Sequence, residues 1–161
     1  MDKAFSFSYR LLTDASGLEP AEAALLAAAN EAQQLAYAPY SRFEVGAALL
    51  LDDGAIVKGG NQENASYPAG ICAERTALSA ASSLYPGVPI SAVAIAYRNL
   101  DRNDQGEMIL SPCGICRQSL LEAFSRQEKK IKIIMSSPAG RIIVLDSVEN
   151  LLPFSFSGSF L

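Results

Sequence analysis

Two short segments carry the reactive side chains. Ile71-Cys72-Ala73-Glu74 places a thiol two residues before a carboxylate, and Ser111-Pro112-Cys113-Gly114-Ile115-Cys116 places two more thiols three residues apart. These three cysteines are the only ones in the 161 residues, and the sequence has no histidine. The missing histidine excludes Ser-His-Asp and Cys-His hydrolases of the usual kind, and His-rich metal sites with them. A metal must then be held by thiolate or carboxylate, and a general base must be Asp, Glu, Lys, Tyr or Cys. A C-x-x-C alone fits a redox pair or half of a structural zinc knuckle. The redox reading leaves Cys72 and Glu74 without a role. A closed structural site needs four ligands, which here would require a carboxylate. Three protein ligands with an open fourth position is the pattern of catalytic zinc.

A ligand-x-Glu pair combined with Pro-Cys-x-x-Cys is the signature of zinc deaminases, in which the glutamate is acid and base rather than ligand. Residues two apart on a helix point about 200° away from each other. Cys72 and Glu74 therefore converge only on something beyond a helix N-terminus. Helix starts also favour thiolate over thiol. Three thiolates and Zn²⁺ leave one net negative charge, which makes a bound water harder to ionise. Arg75, next to Glu74, is read as the balancing cation, hydrogen-bonded to a ligand thiolate. The alternative is a surface arginine, in a first helical turn where its charge is slightly unfavourable. Arg117 has a similar position and a weaker claim.

The elements that must position these groups follow from pattern. Pro20 opens an Ala/Leu-rich helix to about Ala36. Two apolar strands flank Asp53-Gly54 as a hairpin. A polar loop leads to a helix from Cys72 to about Leu84, and a buried strand follows in ISAVAIAYR. Residues 99–105 are polar and predict a loop. CGICRQSLLEAF is a third helix, IKIIMS and RIIVLDS are further strands, and VENLLPF starts as a short helical turn. Helices interleaved with about five strands predict an α/β fold, a three-layer α/β/α sandwich with a five-stranded mixed sheet. Both cysteine-led helices follow a strand and a loop, so their starts can meet at one end of the sheet.

Composition narrows the partners. Half of the residues are hydrophobic, enough for a real core, and the net charge is −4. With no basic stripe, nucleic acid is not an expected partner. The densest cationic group, Lys129, Lys130 and Lys132, reads as a solvated face beside a strand. No apolar run approaches the length of a membrane span, and MDKAFSFSYR lacks the apolar core of a secretory signal. An odd cysteine count argues against a disulfide framework. The expected location is cytoplasmic.

The segments AYAPYSRFEVGAALL, GGNQENASYPAGICAERTAL, SPCGICRQ and ENLLPFSF together resemble the small homotetrameric zinc-dependent cytidine deaminases, in order, from about Tyr37 to Phe156. The resemblance implies the same fold and one Zn²⁺ per subunit. It implies that Cys72, Cys113 and Cys116 are the ligands and Glu74 the proton shuttle. It further implies that Asn61 and Glu63 bind the ribose hydroxyls, that Phe43 packs on the base, and that the Ala73 backbone and Ser111 carbonyl contact the pyrimidine. Phe156 would reach a neighbouring subunit's site, with Tyr67 near the subunit junction, in a homotetramer whose sites are completed across subunits. Taken by themselves, Asn61 and Glu63 read as turn chemistry and Phe43 as core, whereas Phe156 in a polar tail is hard to explain as core. Departures from the family pattern fall at Gly60, Gln62 and Ile115, and the segment before the second cysteine pair is somewhat long.

The expected activity is hydrolytic deamination of cytidine and 2′-deoxycytidine to uridine and deoxyuridine, in pyrimidine salvage. One domain is expected over 1–161, with 1–15 an N-terminal extension and 150–161 a C-terminal tail at a subunit interface. Other readings are a deaminase of a related aminopyrimidine nucleoside such as blasticidin S, and a non-enzymatic zinc-stabilised binding module.

Overall fold

Helix α1 (Pro20–Ala32) begins where the proline predicts. Glu19 caps it, and the Glu22 carboxylate accepts the Glu19 N–H at 3.1 Å, which completes a capping box. The helix ends four residues before the expected Ala36 and tightens into a 3-10 turn, Gln33–Leu35. That turn presses on β3 (Ile56–Gly60): a Cβ on Gly60 would lie 2.5 Å from the Leu35 carbonyl carbon. β3 forms a hairpin with β2 (Phe43–Leu51), through Gly54 at φ 87° and an Asp53 carboxylate that accepts the Ala55 N–H at 3.0 Å. Helix α2 (Ala73–Leu84), β4 (Ile90–Asn99), α3 (Gly114–Gln127), β5 (Lys132–Ser136) and β6 (Ile142–Leu145) follow in the expected order. This computed structural model describes residues 1–102 and 106–161. Of the loop predicted over 99–105, Asn99 closes β4 instead, and 103–105 lie outside the described residues.

Among the described residues the sheet has six strands, not the five predicted, in the order β1-β6-β5-β4-β2-β3. The added strand, β1 (Arg10–Leu12), comes from the segment read as an extension and pairs with β6 alone, Arg10 opposite Val144 and Leu12 opposite Ile142. Three residues are too few for alternation to show in a sequence. Only β4 and β5 run parallel; the other pairs are antiparallel. α3 is the crossover that a parallel pair requires.

Alternation along the strands assigns the faces. Leu49, Leu51, Val93, Ile95, Ile133 and Met135 pack on the side of α2 and α3. Ala48, Ala92, Ala94, Ile134, Ile142 and Val144 pack on the side of α1. Each fully buried Leu, Ile or Val contributes about 1.5–3 kcal/mol. The alanine row lets α1 sit close to the sheet, and Gly46 marks the nearest approach: a Cβ there would lie 2.1 Å from the Ala29 carbonyl oxygen. No helix of the described residues is long and apolar enough to cross a membrane.

The strand directions decide where the helices start. β3 and β4 are each antiparallel to β2, so they point the same way. Their C-terminal ends share one end of the sheet, and α2 and α3 start there.

One buried charge ties the opposite side together. Glu22 accepts from Arg10 of β1 at 2.6 and 2.7 Å and from Lys132 of β5 at 2.7 Å. Of the lysine group, Lys129 and Lys130 are exposed as a solvated face requires, with Lys129 paired to Asp52, whereas the half-buried Lys132 belongs to the Glu22 cluster. Burial pushes the Glu22 carboxyl up, but the bonds from Lys132, Arg10 and the Glu19 amide outweigh it and bring it down to about 2. A depressed carboxyl contributes stability that is complete above its unfolded value near 4.5 and is lost as pH falls towards 2. Glu22→Gln should cost about 2 kcal/mol at neutral pH. It should also flatten the loss of stability between pH 4.5 and 2, which thermal unfolding followed across that range would read.

Candidate active site and metal centre

The two cysteine-led helices meet as the sequence predicts. Cys72 is the N-cap of α2 and Cys113 the N-cap of α3, and neither side chain accepts a capping hydrogen bond from its helix backbone. The positive ends of both helices are thus left beside the sulfurs. Cys116, one turn into α3, is fully buried. Its Sγ lies 3.6 Å from that of Cys113, which lies 3.8 Å from that of Cys72.

These separations are those of a metal site. Sulfurs at about 2.3 Å from a tetrahedral zinc stand about 3.8 Å apart. The three sulfurs all lie within 4.8 Å of one another, and among the described residues no other group of three such side chains does. The donor chemistry agrees. The Cys72 thiol is drawn down to about 6, mainly by the hydrogen bond from Cys116, with burial and the Glu74 charge opposing and Cys113 and Arg75 assisting. The Cys116 thiol is pushed up, first by its bond to Cys72 and then by burial. One thiolate forms readily and suppresses the next, so three together need a cation among them. Zinc fits this set, and Cys72, Cys113 and Cys116 would hold it.

Glu74 is the second residue of α2 and only 4% exposed. Burial raises its carboxyl, against weaker pulls from its own amide and from Cys116. A carboxyl raised in this way beside a metal site is suited both to take and to give a proton. Arg75 makes no hydrogen bond or ion pair among the described residues. Its charge helps lower Cys72, but the expected bond to a thiolate is not made. Arg117 instead joins the start of α3 to the tail, donating to the carbonyls of Pro112 at 2.9 Å and Leu151 at 3.1 Å.

A cavity of about 530 Å³ opens at this end of the sheet, and Asn61, Glu63, Tyr67 and Cys72 line it together with Tyr40 and Ser41. Asn61 is held by the start of β2: its Oδ1 accepts the Val45 N–H at 2.8 Å and its Nδ2 donates to the Phe43 carbonyl at 3.0 Å. That leaves one donor hydrogen and one lone pair. Glu63 Oε2 accepts the N–H groups of Tyr40 and Ser41 at 2.8 and 3.2 Å. Burial pushes its carboxyl up, but those bonds and the Ser41 side chain hold it below the usual range. Turn chemistry, the bland reading of both residues, is thus present, and both still face the cavity.

Phe43 and Ser111 line a second cavity, about 570 Å³, with Tyr97 and Met108. Ala73 is buried at the first position of α2, where its N–H has no intrahelical acceptor. Phe156 is not brought to either cavity. Its ring stacks on Phe160 at 5.7 Å, 59% exposed, and its carbonyl accepts from Gln118. Tyr67 is 77% exposed and meets Tyr40 edge-on at 6.2 Å. Tyr40 was missed by the sequence reading; its only signal was the break in pattern at Pro39. Of the departures, Gly60 has no room for any side chain, Gln62 donates to the carbonyls of Leu35 and Gly60, and Ile115 is exposed on α3.

Comparison with known proteins agrees with this geometry. Residues 20–133 match the family described as the cytidine and deoxycytidylate deaminase zinc-binding region. The cytidine deaminase of Halalkalibacterium halodurans is 40% identical over 135 residues, 83% of this chain and 92% of its own. That of Sporosarcina psychrophila is 42% identical over 133 residues, 83% and 89% of the two chains. The crystal structure of the cytidine deaminase from Burkholderia pseudomallei superposes with a TM-score of 0.71 at 38% identity, covering 83% of this chain and 97% of that one. With three thiols spaced for zinc, a buried glutamate beside them and this fold around them, the chain belongs to the cytidine and deoxycytidylate deaminase family.

Proposed function

We propose that this protein is a zinc-dependent cytidine deaminase, converting cytidine and 2′-deoxycytidine to uridine and deoxyuridine with release of ammonia. The observation that carries the reading is the buried Glu74, its carboxyl raised by burial, two residues after one of three sulfurs spaced for a single zinc. The relatives named above are cytidine deaminases, which favours cytidine over blasticidin S. Zinc at the three sulfurs supplies activation of a water at neutral pH.

The side chains supply the rest. Glu74 takes the water's proton and delivers it to N3 of the cytosine ring, which makes C4 electrophilic. Once the water oxygen has bonded to C4, Glu74 takes its remaining proton and passes it to the amino group, which leaves as ammonia when the C4–N bond breaks. Asn61 and Glu63 bind the ribose hydroxyls, with the remaining capacity of Asn61 available for that. A site built for a hydroxyl discriminates against analogues that lack it. Phe43 packs on the base, and the Ala73 N–H and Ser111 carbonyl hold its polar edge. Arg75 acts on the thiolates through its charge, without a bond.

The 161 residues form one deaminase domain that works in the cytoplasm in pyrimidine salvage. It assembles as a homotetramer in which residues 150–161 lie at a subunit interface. The exposed Phe156 and Tyr67 rings support that arrangement, since neither is buried within its own chain.

Glu74→Gln should keep the fold and one zinc per chain while kcat falls at least about 100-fold; retained turnover would remove Glu74 from the mechanism. Phe156→Ala should raise KM for cytidine with zinc content unchanged. Unaltered kinetics in that variant would take Phe156 out of the site.

A further inference from the structure

Tyr97 continues a row of β4 side chains, Val93 and Ile95, that faces α2 and α3. Its register partner is Val45, so Phe43, two residues earlier in β2, is its diagonal neighbour on the same face. The two rings stack with centroids 5.0 Å apart and planes 28° from parallel. The Tyr97 hydroxyl reaches the other way and donates to the Met108 carbonyl at 2.8 Å. Met108 lies three residues before Ser111. One side chain therefore touches both segments that wall the base, and it lines the cavity that Phe43 and Ser111 share.

The backbone there does not depend on it. The β2–β4 register runs on past Tyr97 to Phe43 opposite Asn99. Ion pairs Glu44–Arg98 and Arg42–Asp101 hold the two chains on either side. The approach to Ser111 is also tied by Leu110 N–H to the Ser136 carbonyl at 3.2 Å and by Ala139 N–H to the Gly106 carbonyl at 3.3 Å. What Tyr97 adds is the tilt of the Phe43 ring and the seat of the Met108 peptide.

We infer that Tyr97 is a positioning residue for substrate binding, setting through one ring and one hydroxyl the gap between Phe43 and Ser111 into which the pyrimidine fits. The inference rests on the reading of Phe43 and Ser111 as base contacts. Because the ring acts on Phe43 and the hydroxyl on the segment before Ser111, its effect falls on binding and not on proton transfer.

The test is steady-state kinetics of the zinc-loaded protein with cytidine, for Tyr97→Phe, Tyr97→Leu, Phe43→Ala and the Tyr97→Leu/Phe43→Ala double variant. Tyr97→Phe keeps the stack and loses the hydroxyl, and should raise KM about threefold. Tyr97→Leu loses both, and should raise KM about tenfold with kcat within about twofold. The double variant should be no worse than the sum of Phe43→Ala and the hydroxyl loss, since the stack can be lost only once. KM unchanged in both Tyr97 variants, or kcat falling with KM constant, would overturn the inference while Phe43→Ala still raises KM. An unchanged KM in Phe43→Ala would instead overturn the base-contact reading, and this inference with it. If Tyr97→Leu does not fold, Tyr97→Phe decides alone.

Discussion

Three thiolates do not stand within 4.8 Å of one another without a cation, and this repulsion organises the rest of the molecule. The fold must bring three sulfurs to within bonding distance of one ion and keep a neutralising field around them. It does both with helix starts. The strand order places β3 and β4 in the same direction, each antiparallel to β2, so the helices that follow them begin at one end of the sheet. Two sulfurs sit at the helix caps, and the third lies a turn deeper, where full burial fixes it. The same placement puts Glu74 in the first turn of α2, close to the metal site and shielded from water. A carboxylate in that dry position resists ionisation, which suits it to moving protons at neutral pH.

Much of this was legible in the sequence because the signals are local. A cysteine followed by an amphipathic helix marks each cap, and the lack of histidine made the three thiols the only compact ligand set available. The helices and five of the strands follow from periodicity and turn residues. β1 did not, because a three-residue edge strand has no period to read, and its anchor is a contact between Arg10 and a glutamate twelve positions away. The end of α1 is equally non-local: the 3-10 turn that follows it packs against the backbone of β3 at Gly60. The exposure of Lys129 and Lys130 was legible, but the ion pairs of Lys129 and Lys132 were not, because Asp52 and Glu22 lie far off in the chain.

The substrate side was less legible for the same reason. Asn61, Glu63 and Phe43 read as turn and core residues when taken alone, and in part they are: Asn61 clasps the start of β2, and Glu63 gathers two amides of the turn before it. Groups that are themselves held in place need no reordering when a ligand arrives, which suits these residues to the recognition roles proposed for them. Tyr97 looked like one more apolar strand residue. Only the register of β2 on β4 reveals that its ring meets Phe43 and its hydroxyl meets the far wall. Arg75 is the opposite case, since its expected bond to a thiolate is absent and only its charge acts.

The central claim is that one zinc is held by three thiolates from two helix starts, with a single position left for chemistry. Zinc K-edge absorption fine structure on the loaded protein measures this directly. Three sulfur neighbours at about 2.3 Å and one oxygen neighbour at about 2.0 Å are expected. A shell of four sulfurs, or one with fewer than three, would contradict it.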